Sequence, residues 1–337
     1  MRWQIVAARV TIKTIAKDLG ISHMTVSRAL SDNPNVQEET RKLVRKRAAE
    51  LGYIKNAAAT AMRGDGTRIL GLLLPNIANE FYAKFANDLA WSCERLGFQL
   101  IIHLTGDDAL AERKAVQQLR EVQAKAVILV PAPIQNVEDA AAPQDFGGLD
   151  VVQLIRQRPV TGEETAIIVE DAGAICDAVV HLHGRGHREI AFIGASSALS
   201  SGRNRLKAFR AGLKKCGLKR SPALIRTAPP SFDMGAATTR DLLREGRATA
   251  IVCAGFEISN GSLNALLTEG RKPGRDLAFI GYGDPSFYTW IEGGISTISV
   301  PVTPLAEQVL QVLEGIATGK EQSSTFAFDA ELIIRNS

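Results

Sequence analysis

The sequence predicts an all-α head followed by an α/β body made of two lobes, each built on a doubly wound parallel sheet. Residues 11–52 carry apolar positions at helical spacing in three short segments. From Arg68 onwards, short apolar strand patterns alternate with amphipathic helix patterns, which favours parallel sheets covered by helices on both faces. Charge follows the same division. Residues 1–66 hold 12 Lys and Arg against 6 Asp and Glu, while the 337-residue chain has a net charge of only +4, so the residues after 66 are slightly acidic. A basic head on a slightly acidic body indicates a polyanion as partner, although a solvated basic helix would carry the same charge.

Length and composition restrict the class of protein further. Hydrophobic residues make up 45% of the chain and charged residues 23%, which is ordinary for globular domains and excludes disorder as the main architecture. A chain of 337 residues is too long for one core, so two or three domains are expected. No apolar run approaches the roughly 18 residues that a membrane span needs, so a membrane is not expected among the partners.

The N-terminus and the cysteines indicate a cytoplasmic protein. Arg9 interrupts the short apolar run 5–8, and no small-residue cleavage site follows, so this segment does not resemble a secretory signal. The cysteines form no Cys-x-x-Cys motif and fall within apolar helix or strand patterns. We therefore expect buried, reduced thiols at Cys93, Cys176, Cys216 and Cys253.

The head is predicted to contain three helices with defined ends. Thr11 is a plausible N-cap of the first helix, Gly20 ends it, and Ser22 caps the second helix after a short turn. The third helix runs from about 38 to 51. The positions expected to face inward are Ile12, Ile15, Ala16 and Leu19, then Val26, Ala29 and Leu30, and finally Leu43, Val44, Ala48 and Leu51.

A helix, a glycine-containing turn and a second helix at this spacing form a helix-turn-helix, whose second helix can enter the major groove of DNA. The candidate base contacts on that helix are His23, Met24 and Arg28. Arg28 can donate two hydrogen bonds to guanine O6 and N7, and the Met24 methyl group suits a thymine methyl. A generic three-helix bundle has the same spacing, which leaves both interpretations open. The candidate phosphate contacts are the hydroxyls of Ser22, Thr25 and Ser27.

The body is predicted from the alternation of the two periodicities. Strands are expected at 69–74, 99–104, 126–130, 151–155, 189–193, 248–253, 277–280 and near 326–334. Helices are expected at 80–96, 110–122, 172–183, 203–216, 234–245, 258–269 and 303–318. About 270 residues fit two such lobes, and ligands of doubly wound sheets bind at the carboxyl ends of the strands.

The head resembles the DNA-binding domain of the LacI/GalR family of bacterial transcriptional regulators. The resemblance runs essentially ungapped from Thr11 to Met62 and rests on these segments: Thr11 to Ser22, Thr25-Val-Ser-Arg-Ala-Leu, Asn35-Val, Glu39-Thr-Arg, Leu51-Gly-Tyr and Asn56. It implies that His23 and Met24 help to set the operator sequence and that Arg28 reads a base. It also implies phosphate contacts from Thr11, Tyr53 and Asn56. Gln37 departs from the family, which usually has a Ser or Thr cap there, and residues 1–10 fall outside the resemblance as an N-terminal arm.

The resemblance divides the chain into a helix-turn-helix domain at 11–54, a hinge helix and linker at 55–66, and an effector-binding and dimerisation domain at 67–337. In the family, paired hinge helices enter the minor groove and insert a leucine, and Met62 occupies that position here. Lys55 stands where the family usually has Pro, and Thr60 stands where it often has Arg. Both departures weaken the expected binding of the hinge to the minor groove. A flexible linker ending in Gly-Asp-Gly is the alternative.

The body resembles the effector domain of the same family, which is similar to periplasmic sugar-binding proteins. The markers are Gly71-Leu-Leu-Leu-Pro, Asn79-Glu-Phe-Tyr, Gly186-His-Arg-Glu-Ile-Ala-Phe-Ile-Gly, Arg205-Leu-Lys-Ala-Phe, Gly281-Tyr-Gly-Asp and Glu331-Leu-Ile-Ile-Arg. The expected lobes are 67–160 with 286–322, and 161–285 with 323–337. The resemblance and position together give the candidate effector contacts Phe81, Tyr82, Arg205, Phe232, Phe256 and Asp284. Gly255-Phe256 replaces the family's Asn-Asp and adds an aromatic ring to the cleft.

The predicted function is a homodimeric, sequence-specific DNA-binding regulator, most simply a repressor, that binds a palindromic operator in double-stranded DNA. A small polar effector, a sugar or sugar acid rather than a nucleobase, would control its affinity. A periplasmic-type solute-binding protein is an alternative, but it would need a signal peptide and would lack the basic head. A Rossmann-type enzyme would need a dinucleotide fingerprint that is missing. We expect no catalytic residue and no cofactor. We also expect no metal in the stretch that contains His181, His183 and His187, because His181 and His183 are predicted to straddle a helix end and the stretch resembles an ordinary structural segment of the family.

Overall fold

The computed structural model describes residues 10–31, 33–53, 67–133, 146–158, 164–317 and 324–337. The chain divides into two compact units between Thr67 and Arg68. The predicted arm up to residue 9 and the predicted hinge contacts Asn56 and Met62 lie outside the described residues. Within those residues, no helix is long and apolar enough to cross a membrane.

The head contains three helices, α1 (Ile12–Leu19), α2 (His23–Leu30) and α3 (Glu38–Glu50). The predicted caps are confirmed. The Thr11 hydroxyl accepts a hydrogen bond from the Thr14 amide, and the Ser22 hydroxyl accepts one from the Thr25 amide at 3.0 Å. Gly20 ends α1 in the left-handed conformation at φ 65°. Gln37 makes no side-chain cap at α3, as its residue type predicts.

The head has its own small core. Ile15, Val26, Ala29 and Val44 are completely buried, and the half-buried side chains of the other predicted positions pack around them. Leu43 is the exception, because it is 51% exposed on α3 although the helical pattern predicted it to face inward. The buried face of α3 therefore contains Val44 and Ala48, and Leu43 lies at the edge of this face.

The body follows the predicted alternation of strands and helices. Its first part contains β1 (Ile69–Leu74), α4 (Glu80–Arg95), β2 (Gln99–Leu104), α5 (Ala109–Glu121), β3 (Ala126–Leu129), β4 (Asp150–Leu154) and β5 (Thr165–Glu170). The middle contains α6 (Ala172–Gly184), β6 (Ile190–Ala195), α7 (Ser200–Lys215), β7 (Ile225–Ala228), α8 (Phe232–Glu245), β8 (Ala250–Ala254) and α9 (Phe256–Thr268). The last part contains β9 (Ala278–Tyr282), β10 (Ser296–Ser299), α10 (Val302–Ala317), β11 (Thr325–Asp329) and β12 (Glu331–Ile333).

Two six-stranded sheets organise the body into two lobes. The first sheet has the order β11-β5-β4-β3-β1-β2 and is parallel throughout. The second has the order β12-β10-β9-β8-β6-β7, in which only β12 runs antiparallel to its neighbour. The central strands are completely buried, as in β1 and β6, because helices cover both faces.

The predicted lobe boundaries were wrong at three places. β5 belongs to the first sheet, although residues from 161 onwards were assigned to the second lobe. β10 belongs to the second sheet, although 286–322 was assigned to the first. The single strand expected near 326–334 is two strands in different sheets, because the chain crosses between lobes at Ala330, whose amide donates to the Glu170 carbonyl at 3.0 Å. The chain therefore passes between the lobes three times, after β5, after β10 and after β11.

The cysteines are free thiols, and two of the four are only half-buried. Cys93 and Cys253 are buried, and burial raises the pKa of Cys93 to about 11 and that of Cys253 to about 12. Cys176 and Cys216 are intermediate in exposure, so the prediction of burial was wrong for them. Cys216 lies at the C-cap of α7, where a helix end leaves one side open.

Candidate DNA-binding and ligand-binding sites

The exposed face of α2 carries the predicted base contacts. His23, Met24 and Arg28 are all exposed, whereas Val26 and Ala29 on the opposite face are buried in the head core. Met24 is 55% exposed, so its thioether can reach a partner. The helix thus presents an imidazole, a thioether and a guanidinium together on its solvent side.

Three carboxylates of the head pair with arginines other than Arg28. Glu38 accepts from Arg41 at 2.6 Å, and Asp18 and Glu50 both accept from Arg47. The hydrogen bonds from Arg47 to Asp18 and Glu50 raise the pKa of Arg47, and the bond to Asp18 has the larger effect. The guanidinium of Arg28 makes no hydrogen bond or ion pair with any residue that the structure describes.

The hydroxyls predicted to contact phosphates also build the helix caps. The oxygens of Ser22 and Thr25 lie 2.8 Å apart, and those of Thr11 and Thr14 lie 3.0 Å apart. Each hydroxyl pair shares one hydrogen bond and keeps a second hydrogen that can be donated outward. Tyr53 packs half-buried against the head core.

A polar cleft of the described body lies between the lobes, at the carboxyl ends of the strands. We call it the interlobe cleft, and its open volume up to the mouth is about 560 Å³. It is lined by Asn79, Phe81, Tyr82, Ile155, Arg156, Val169, Ala195, Leu199, Ser201, Arg205, Pro230, Ala254, Gly255, Phe256, Glu257, Tyr282 and Val300. Four predicted effector contacts are therefore brought together here, namely Phe81, Tyr82, Arg205 and Phe256.

Arg205 lies at the floor of the cleft in a buried network that the sequence did not predict. Its Nε donates to Asp171 Oδ2 at 2.6 Å, and its Nη2 donates to the Tyr282 hydroxyl at 2.6 Å. The Tyr282 hydroxyl in turn donates to Asp171 at 2.6 Å. Burial alone would lower the pKa of Arg205, but the charge of Asp171 outweighs it and raises the pKa above its ordinary value. Arg205 is therefore a permanently charged group held in place by Asp171 and Tyr282.

Aromatic rings form one wall of the cleft. The Phe256 ring lies 5.2 Å from that of Phe81 and 5.4 Å from that of Tyr282, measured between centroids. Gly283 admits Phe256, because a Cβ atom at this position would overlap the Phe256 ring. Its backbone also has φ 108°, which favours glycine. The aromatic ring inferred from Gly255-Phe256 is thus part of the cleft.

The structure does not bring Asp284 and Phe232 into the cleft, and their predicted contacts were wrong. Both carboxylate oxygens of Asp284 accept from Arg335, at 2.6 and 3.0 Å. Arg335 belongs to the last residues of the chain, so this pair fastens that segment to the second lobe instead of facing a ligand. Phe232 is the first residue of α8 and is 44% exposed away from the lining residues.

Polar groups from both lobes meet across the cleft, and sequence reasoning missed them. Asn76 donates to Glu257 Oε1 at 3.2 Å, which joins the first lobe to the second, and burial raises the pKa of Glu257. Arg156 is buried and forms a bidentate pair with Asp107. Their position in the sequence could have identified them, because Arg156 and Glu257 lie just after β4 and β8, at the strand ends where ligands bind.

Two family profiles match the chain. Residues 11–56 match the profile described as bacterial regulatory proteins, lacI family, and residues 179–337 match the periplasmic binding protein-like domain. The HTH-type transcriptional regulator DegA of Bacillus subtilis (strain 168) is 24% identical over 332 residues, which cover 98% of each chain.

Solved structures share the whole architecture. The lac repressor dimer bound to operator and the anti-inducer ONPF superposes with a TM-score of 0.80 at 22% identity, covering 97% of this chain and 98% of that one. The CelR–cellobiose complex superposes with a TM-score of 0.71 at 22% identity, covering 98% of this chain and 100% of that one.

The helix-turn-helix head and the two-lobed periplasmic-binding-like body define a DNA-binding transcriptional regulator. The relatives matched over nearly the full length of the chain carry regulator names of the same kind. The head, residues 11–56, belongs to the lacI family of bacterial regulatory proteins, and the chain as a whole is similar to LacI/GalR-type transcriptional regulators.

Proposed function

We propose that the protein is a homodimeric repressor that binds a palindromic operator through α2 and responds to a small polar effector in the interlobe cleft. The observation that carries the DNA-binding part is the exposed Arg28 beside His23 and Met24, on a helix with a side-chain cap, with no side-chain partner among the described residues. A guanidinium with free donors on a groove-sized helix suits guanine better than any other base. Operator DNA lies in the bacterial cytoplasm, which is where the protein would act.

The remaining contacts in this proposal serve affinity and bending. The outward hydroxyl hydrogens of the α1 and α2 caps and the half-buried Tyr53 would bind phosphates, which position the head without reading sequence. Asn56 and Met62 keep their predicted roles as a phosphate contact and a minor-groove wedge, as the family resemblance implies.

The edge of the first sheet supports a homodimer. β2 ends the sheet, so one side of its backbone has no neighbouring strand among the described residues. Ile102 and Leu104, two residues apart on one face of β2, are 39% and 53% exposed, and Leu110 on the next helix is 66% exposed. A flat apolar edge of this kind is an aggregation hazard unless a partner covers it. A second copy of the chain is the occupant that an inverted pair of heads requires.

Replacing both Ile102 and Leu104 with Asp should convert the dimer into a monomer, as sedimentation velocity would show. Operator affinity should fall by about 10²–10⁴-fold, because each head would then bind its half-site without the help of the other. Thr227→Asp, which places one aspartate on the edge strand β7 of the second sheet, is the control and should leave both properties unchanged. A double variant that stays dimeric would place the interface elsewhere.

The cleft supports a hydroxyl-rich effector. Asn79 Nδ2 and Glu257 Oε2 make no hydrogen bond to any described residue, so the cleft offers a free amide donor and a free carboxylate acceptor. Such a pair suits neighbouring hydroxyl groups, and the rings of Phe81 and Phe256 suit the C–H face of a sugar. The cellobiose complex of the similar CelR protein supports a sugar or sugar-acid ligand for this chain.

The crossings between lobes suggest how the effector would act on DNA binding. Three chain segments join the lobes, and the Asn76–Glu257 and Phe81–Phe256 contacts hold them together across the cleft. A ligand that replaces these contacts changes the lobe closure, and in a dimer this changes the separation of the two heads. A coupling free energy of about 1–3 kcal/mol would alter operator affinity by about 5–150-fold.

A further inference from the structure

A second pocket adjoins the interlobe cleft and is lined by three arginines. We call it the arginine pocket, and its open volume up to the mouth is about 610 Å³. Its walls are the segments 131–133 and 156–158 of the first lobe and the residues at the start of α7 in the second. The pocket and the cleft share Arg156 and Leu199, so they are neighbouring compartments of one opening.

The described residues of this pocket carry an unbalanced positive charge. Arg156 pairs with Asp107, and Arg158 pairs with the completely buried Glu112 behind the wall. Arg203 is exposed and uses only Nη1, which donates to the carbonyls of Ser197 at 2.8 Å and Ala198 at 3.4 Å. Among the described residues, no carboxylate pairs with Arg203 and none lines the pocket. One positive charge therefore faces the opening, with the Nε and Nη2 hydrogens of Arg203 free to donate.

The backbone beside the pocket is held in a strained conformation that places Arg156. Ile155 has φ 64°, which a β-branched residue rarely adopts, and the Arg156 amide donates to the Leu154 carbonyl at 2.6 Å. This tight turn places the Arg156 side chain between the two compartments. Strain of this kind is kept where the surroundings impose it, often at a binding site. Across the opening, the Gln157 amide donates to the Ser200 hydroxyl at 3.0 Å, which joins the two lobes at the pocket.

We propose that the effector carries an anionic group, a phosphate or a carboxylate, that binds in the arginine pocket while its polar body occupies the interlobe cleft. This inference rests on the proposed function of the cleft. The charge and the available donors of Arg203 match the oxygens of such a group. Because the pocket walls come from both lobes, the anion would help to set the lobe closure.

Inorganic phosphate is a direct probe of the pocket, and acetate is the probe for a carboxylate. We expect one or both to raise the melting temperature of the full chain saturably, against chloride at equal ionic strength. Arg203→Gln should raise the half-saturating concentration by about tenfold, because it removes a charge-assisted hydrogen bond without disturbing a buried pair. Arg210→Gln, an exposed arginine on the same helix and outside the pocket, should behave like the wild type.

Three results would overturn the proposal: no saturable effect of either anion, equal half-saturation in the wild type and Arg203→Gln, or an equal loss in Arg210→Gln. A saturable effect of phosphate alone or acetate alone supports it and identifies the group. A footprint on operator DNA needs no anion, so a symmetric footprint combined with a failed anion titration would refute this inference and leave the proposed function standing.

Discussion

Arg28→Ala should weaken operator binding by about 1–3 kcal/mol and relax the preference at one guanine in each half-site. The reason is structural, because Arg28 is exposed on α2, and the three carboxylates of the head that form described ion pairs bind Arg41 and Arg47 instead. A bidentate arginine–guanine contact is lost with the guanidinium, and no neighbouring cation on the described face of α2 replaces it.

Arg28→Lys is the matched variant for this test. It keeps the positive charge but cannot form the two parallel hydrogen bonds, so it should retain non-specific affinity and lose the guanine preference. Fluorescence anisotropy on the operator and on a variant with the guanine replaced would measure both quantities at fixed salt. If all three proteins discriminate equally between the two DNAs, Arg28 does not read a base.

Arg205→Ala should lower the free energy of unfolding of the body by about 3–5 kcal/mol, because it leaves Asp171 buried without its cation. Asp171 is 5% exposed, and its other partner, the Tyr282 hydroxyl, is neutral. The melting temperature should fall by about 10 °C.

A double variant separates the loss of the pair from the loss of the fold. Arg205→Met together with Asp171→Leu removes both charges and should recover most of the lost stability, because apolar pairs of similar volume often replace buried ion pairs at no cost. Thermal unfolding followed by circular dichroism measures all three proteins. An Arg205→Ala variant that melts within about 2 °C of the wild type would show that Asp171 is not held as the structure indicates.

The head was predictable because its signals are local. Thr11, Gly20 and Ser22 mark helix ends within a few residues, and the structure places the caps where these residues stand. Leu43 was predicted wrongly because a helical stripe does not fix where its edge lies. The central strands of the body were equally clear, since a completely buried strand such as β1 is a continuous apolar run.

The assignment of strands to sheets and the network of the cleft were not predictable, because they depend on residues far apart in sequence. β10 is a four-residue strand of Ser, Thr, Ile and Ser, and nothing in it specifies which sheet it joins. Arg205 was found from the family resemblance, but its pairing with Asp171 joins residues 34 positions apart. Asp284 was misplaced because its partner Arg335 lies 51 positions away.

The space for Phe256 also depends on a distant residue. Gly283 leaves room for the Phe256 ring only because β8 and β9 are neighbours in the second sheet. The aromatic ring could be predicted from Gly255-Phe256, but the glycine that accommodates it could not, since periodicity carries no information on which loops meet above a sheet.

The most direct test of the account is a protection footprint of the full chain on genomic fragments that it selects from its own source. A dimer with two α2 helices related by a two-fold axis should protect two inverted half-sites, each with a guanine at the position that Arg28 reads. A single protected site, or protection without two-fold symmetry, would contradict the account.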